Sequence, residues 1–119
     1  MIERYTRKEI KSIWNDYNRY SIWLDIELAA AESMEKLKII PKGIVKKIKS
    51  KAKINPKRIL QIEEKVKHDI IAFLTSITEK VGKEAKYLHK GMTSSDVLDT
   101  CYNLQLKKSG EILLKDIPL

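Results

Sequence analysis

The stretch Tyr20–Lys38, YSIWLDIELAAAESMEKLK, decides the fold. Within it Trp23, Leu24, Glu27, Leu28, Ala31, Met34 and Leu37 recur at the three- and four-residue steps of an α-helix, so the segment carries a mostly apolar stripe along one face. Working outward from this helix, every neighbouring segment also reads as helical. Upstream, Thr6-Arg7-Lys8-Glu9 has the pattern of a capping box, and Ile10, Ile13 and Trp14 give a short helix that should stop near Asn15 to Asn18. Downstream, Pro41 suits the first position of a third helix bearing Ile44, Val45 and Ile48, and Asn55-Pro56 repeats that start for a short fourth. A strongly apolar run follows, Ile70, Ile71, Phe73, Leu74, Ile77 and Val81, with Gly82 placed to end it. Tyr87 to Ser95 reads as a loop, and Thr93, Ser94, Ser95 and Asp96 can each cap a last helix carrying Val97, Leu98, Cys101, Leu104, Ile112 and Leu113. No segment alternates as a strand would and none repeats, so the expectation is an all-α domain of five or six helices.

A chain of 119 residues is expected to form one domain with a single hydrophobic core. Its one cysteine, Cys101, cannot form an intrachain disulfide, and with no charged-then-apolar leader after Met1 the chain reads as cytoplasmic. The longest apolar-rich stretch, Ile22 to Ala31, is broken by Asp25 and Glu27 and falls short of the ~20 residues that cross a bilayer, so no membrane partner is expected. The net charge of +8 admits nucleic acid, an anionic surface or a small polyanion as partner. The lysines are scattered from Lys36 to Lys115 rather than clustered, which argues against nucleic acid. Three of the four arginines, Arg4, Arg7 and Arg19, fall in the first nineteen residues, and a guanidinium grips phosphate or carboxylate in a fork that lysine cannot make.

Few residues can carry chemistry. His68 lies between Lys67 and Asp69 at the mouth of the apolar helix, where a cation and a carboxylate would tune an imidazole for proton transfer; the same pair can also simply cap the helix. His89 opens His89-Lys90-Gly91-Met92-Thr93-Ser94-Ser95-Asp96, in which the glycine allows close backbone approach and the hydroxyls precede a helix N-terminus suited to an anion. Arg4 and Tyr5, if folded back, offer donors to a phosphate. Two histidines more than twenty residues apart, one cysteine and no HExxH or CxxC supply no metal set, and no glycine-rich nucleotide loop appears, so neither metal nor cofactor is expected.

Taken together, the opening Met1-Ile2-Glu3-Arg4-Tyr5, the stretch from Ile13-Trp14 to Asn18-Arg19, the turn Ile39-Ile40-Pro41, the run Lys67-His68-Asp69-Ile70-Ile71-Ala72-Phe73 and the loop from His89 to Thr100 resemble the adenylosuccinate lyase family. The loop is similar to that family's HxGxTSxDxxDT signature, and the resemblance extends from Met1 to about Asp116. It implies the N-terminal domain of the helical fumarase and aspartase superfamily over residues 1–110, with residues 111–119 as the start of a central-bundle helix. It also implies elimination of fumarate from adenylosuccinate, giving AMP, and from the succinyl-carboxamide ribotide of purine biosynthesis. On this resemblance Arg4 and Tyr5 hold the phosphate or ribose end, while Lys67, His68 and Asp69 line the nucleotide site. Thr93 and Ser94 bind the succinyl carboxylates, His89 adds hydrogen bonds beside them, and His68 is the candidate for proton transfer at the departing amine. The family's central bundle, its second-domain histidine and its mobile SSxMPxKxNP loop are not in these 119 residues. Since family sites draw on three subunits of a homotetramer, the chain alone is expected to be inactive. Two other readings compete: a carboxymuconate cycloisomerase of the same superfamily, disfavoured by Arg4-Tyr5 and His68-Asp69, and a helical docking domain without catalysis.

Overall fold

The computed structural model describes residues 2–118, so Met1 of the opening motif and the terminal Leu119 lie outside the described residues. Six α-helices and no strand occur among them: α1 (Lys8–Trp14), α2 (Asp16–Lys36), α3 (Ile44–Lys51), α4 (Pro56–Val66), α5 (Asp69–Val81) and α6 (Ser94–Asp116), with single 3-10 turns at Glu3–Tyr5 and Lys83–Tyr87. Asn55 and Gly82 act as their sequence positions suggest. The Asn55 side chain accepts from the Arg58 N–H ahead of Pro56, and Gly82 ends α5 at φ +88°, a backbone angle that favours glycine.

Several boundaries differ from the sequence reading, each for a local reason. Thr6 does not cap α1. Its hydroxyl donates to the Ile2 carbonyl at 2.6 Å and closes the first 3-10 turn, leaving Arg7 as an N-cap without a side-chain bond. Helix α2 starts at Asp16, four residues before Tyr20, because the break from α1 is the single residue Asn15, whose side chain accepts from the Asn18 N–H at 2.8 Å. Pro41 does not open α3 either. The chain turns through Gly43 at φ +88°, and the helix begins at Ile44, its free N–H groups met from another helix. Glu35 of α2 accepts from the Gly43 and Val45 N–H groups at 2.7 and 3.1 Å, and these donors hold its carboxyl below the ordinary carboxylate range. Leu37, expected on the buried stripe of α2, is exposed because the helix has already ended at Lys36.

The core gathers on the aromatic side chains of α2 and α5. Trp23 meets Tyr20 and Phe73 edge-on at 5.1 and 5.5 Å between ring centres, and the Arg19 guanidinium covers the Tyr20 and Trp23 rings at 4.9 and 5.2 Å. Ile48, Ile59, Ile70, Ile77, Val97 and Cys101 close the core around them. Helix α4 packs on α5, clipped outside by Arg58, whose guanidinium forks onto the Glu79 carboxylate at 2.7 and 3.0 Å. Helices α2 and α1 both pack on α6. The molecule measures 51 × 35 × 24 Å, and its radius of gyration of 16.2 Å exceeds the about 13 to 14 Å of a compact chain of this length. The excess comes from α6. After Gln105 this helix carries no buried residue, and Leu106, Leu113, Leu114 and Ile117 are open along it.

Candidate functional site

The residues singled out from the sequence form three separate polar clusters. The first is Arg4 and Tyr5 in the N-terminal 3-10 turn, where the Arg4 guanidinium lies 5.0 Å from the centre of the exposed Tyr5 ring. Their segment is anchored against the far half of α6. The Gln105 amide donates to the Ile13 carbonyl at 3.0 Å, the Trp14 indole N–H donates to the Ser109 hydroxyl at 2.8 Å, and Arg7 pairs with Asp116. Helix α1 thus runs antiparallel to α6, which puts Arg4 and Tyr5 beside its C-terminal end.

The second cluster is the junction of α4 and α5. Lys67 ends α4 in the left-handed conformation at φ +55°, and His68 is the N-cap of α5. The capping alternative is the arrangement the structure contains: His68 Nδ1 accepts from the Ile71 N–H at 3.2 Å. That bond requires an unprotonated Nδ1, so the neutral ring carries its hydrogen on Nε2. The Asp69 carboxylate lies 3.8 Å from Nδ1 and accepts from the Ile70 N–H at 2.7 Å, both groups being half-exposed.

The third cluster is the loop ahead of α6. His89 stands at φ +61°, and Gly91 at +72°. Thr93 is the N-cap of α6, and its own N–H donates to the Asp96 carboxylate at 2.8 Å, so Asp96 completes the cap from the first turn. Among the described residues the Ser94 hydroxyl makes no hydrogen bond, leaving it and the first N–H groups of α6 available to an anion. Sequence reasoning gave His89 no partner, yet it has a strong one. Glu27, 1 % exposed in the middle of α2, accepts from the His89 backbone N–H at 2.7 Å and meets His89 Nδ1 at 2.5 Å. The signal was in the α2 stripe itself: a carboxylate at a core-facing position costs several kcal/mol unless a buried donor meets it.

The first and third clusters do not converge within one chain. Helix α6 has 23 residues and, at 1.5 Å each, is about 34 Å long, so Arg4 and Tyr5 at one end stand roughly that far from Thr93 and Ser94 at the other. No side-chain hydrogen bond links His68 to His89 among the described residues. The open groove of about 1030 Å³ between the end of α2 and α3 is lined by Glu35, Ile39, Ile40, Lys42, Val45 and Lys46 among others, and holds none of the three clusters. No helix of the described residues is long and apolar enough to cross a membrane.

The chain is similar to known proteins in both sequence and fold. Residues 3–118 match the protein family described as lyase. The chain is 49% identical over 117 residues to the adenylosuccinate lyase of Synechocystis sp., covering 98% of this chain and 27% of that protein. A crystal structure of a fumarate lyase from Mesorhizobium sp. superposes with a TM-score of 0.74 at 25% identity, over 82% of this chain and 24% of that one. The chain therefore spans about a quarter of the length of the proteins it matches.

Proposed function

Because the chain belongs to the lyase family that its residues 3–118 match, we propose that it is the N-terminal part of an adenylosuccinate lyase. In this reading the whole protein is a carbon–nitrogen lyase. It eliminates fumarate from adenylosuccinate to leave AMP, and from the succinyl-carboxamide ribotide of purine biosynthesis. The observation that carries the reading is the 49% identity to the Synechocystis protein along 98% of the chain. The substrates are polyanions with a phosphate and two carboxylates, which suits the donors of all three clusters. Arg4 and Tyr5 take the phosphate or ribose end, Lys67, His68 and Asp69 border the nucleotide, and Thr93 and Ser94, with His89 beside them, take the dicarboxylate.

A site that draws on both the first and the third cluster, about 34 Å apart, needs more than one copy of the chain, which supports a homo-oligomeric enzyme, a tetramer by family resemblance. The open apolar flank of α6 from Leu106 to Ile117, beyond its last buried residue Gln105, supports the same reading. With the first and third clusters apart, these 119 residues alone hold no complete site, and the isolated chain is inactive.

A chimera tests this function: residues 2–118 of this chain replace the aligned segment of the Synechocystis adenylosuccinate lyase. We expect the purified chimera to release fumarate and AMP in equal amounts from adenylosuccinate, with kcat/KM within about 200-fold of the parent, the upper end of what a single altered pocket contact costs. A folded, oligomeric chimera that releases no fumarate contradicts the proposal. Turnover of a tricarboxylate in preference to adenylosuccinate would instead favour the cycloisomerase reading.

A further inference from the structure

Glu27 is the buried carboxylate of α2, and both of its oxygens are spent on one residue. Oε2 accepts the backbone N–H of His89 at 2.7 Å, and Oε1 lies 2.5 Å from His89 Nδ1. An ionised carboxylate can only accept, so Nδ1 must be the donor and must carry its hydrogen. The neutral imidazole is therefore the Nδ1–H tautomer with its lone pair on Nε2, and Nε2 has no protein partner among the described residues. The same two bonds secure the φ of +61°, a conformation that disfavours residues with a Cβ. His68 is the opposite case. Its Nδ1 is the acceptor for the Ile71 N–H, so its ring has a hydrogen on Nε2 and no free lone pair.

The two histidines thus offer opposite chemistry. His68 presents a fixed N–H donor, and a second proton could enter only at Nδ1, at the expense of its helix cap. His89 can present Nε2 as a lone pair or, after taking a proton there, as a charged donor. Neither state disturbs its bonds to Glu27, whose negative charge faces the ring in both. We propose that Glu27 is a positioning residue: it fixes the orientation of His89 and keeps the hydrogen on Nδ1, so that Nε2, four residues ahead of Thr93, takes a proton and as a charged donor gives a hydrogen bond to a carboxylate of the dicarboxylate substrate. The proposal rests on the lyase reading above, which names that substrate.

Two measurements test it. The first needs neither catalysis nor a variant: long-range nitrogen–proton NMR on the 119-residue chain reads the tautomer of each ring directly. We expect Nδ1–H for His89 and Nε2–H for His68, and an Nε2–H tautomer at His89 overturns the proposal whatever the enzyme's substrate. The second uses the chimera once its adenylosuccinate activity is established, so an inactive chimera counts against the lyase reading and not against Glu27. Glu27→Gln puts an amide donor against the His89 N–H groups. It should raise KM about 10- to 30-fold with kcat within about threefold, because the hydrogen bond that His89 then fails to make is one offered to substrate and transition state alike. In a His89→Gln background the same change should matter less than about threefold, since Glu27 acts only through His89. Equal effects in both backgrounds would show that Glu27 only supports the fold, and would overturn the proposal.

Discussion

Replacing Trp23 by alanine should cost this chain about 3–5 kcal/mol of folding stability, the usual range for removing a fully buried large aromatic side chain. Trp23 is completely buried, touches Tyr20 and Phe73 edge-on, and is one of the two rings under the Arg19 guanidinium. Alanine leaves a cavity between α2 and α5 and strips a cation–π partner from a guanidinium whose Nε already lacks a hydrogen bond. A domain of this length has roughly 6–18 kcal/mol of net stability in total, so the loss is a large share of it. Urea unfolding followed by circular dichroism measures it. Leu60→Ala on the exposed side of α4 is the control and should stay within about 0.5 kcal/mol of the unmodified chain. A Trp23→Ala loss below about 1 kcal/mol would mean that the core is not organised around this residue.

The second large effect is expected at Ser94 and is functional rather than structural. In the active chimera Ser94→Ala should lower kcat/KM for adenylosuccinate about 10- to 150-fold, the equivalent of removing a hydrogen bond to a charged group worth about 1.5–3 kcal/mol. Folding should be untouched. The hydroxyl bonds to no described residue, and the cap of α6 is supplied by Thr93 and Asp96 instead. Asp96→Ala reverses the pattern: it removes the acceptor for the Thr93 N–H and lowers the melting temperature first. A Ser94→Ala chimera with unchanged kcat/KM would remove the dicarboxylate from this helix end.

Much of the fold is legible in the sequence because it is written locally. The apolar spacing on α2, Asn55-Pro56 ahead of α4 and Gly82 after α5 each fix an element through residues a few positions apart. The boundaries that differ are also local but depend on choices that spacing does not settle. Nothing in the pattern says that Asn15 alone separates two helices, or that Gly43 at positive φ, rather than Pro41, turns the chain into α3.

The site is legible only as residue types. The loop signature points to His89, Thr93 and Ser94, but the partner of His89 lies 62 residues earlier in sequence and is set by how α2 passes the loop. The separation of Arg4 and Tyr5 from that loop follows from the antiparallel packing of α1 on α6, a long-range fact carried by Gln105, Trp14 and Asp116. The neighbours Lys67 and Asp69 suggest proton transfer for His68. Its Nδ1 is engaged by the Ile71 N–H, a detail of ring orientation that no spacing encodes.

The most direct test of the central claim, that these clusters belong to one lyase site shared between chains, is a crystal structure of the oligomeric chimera with AMP and fumarate bound. The predicted result places fumarate within hydrogen-bonding distance, about 2.7–3.2 Å, of Thr93 and Ser94 with His89 Nε2 alongside, the nucleotide beside Lys67 to Asp69, and the phosphate against Arg4 and Tyr5, with the clusters supplied by different subunits. Ligands bound with all three clusters left empty would contradict it.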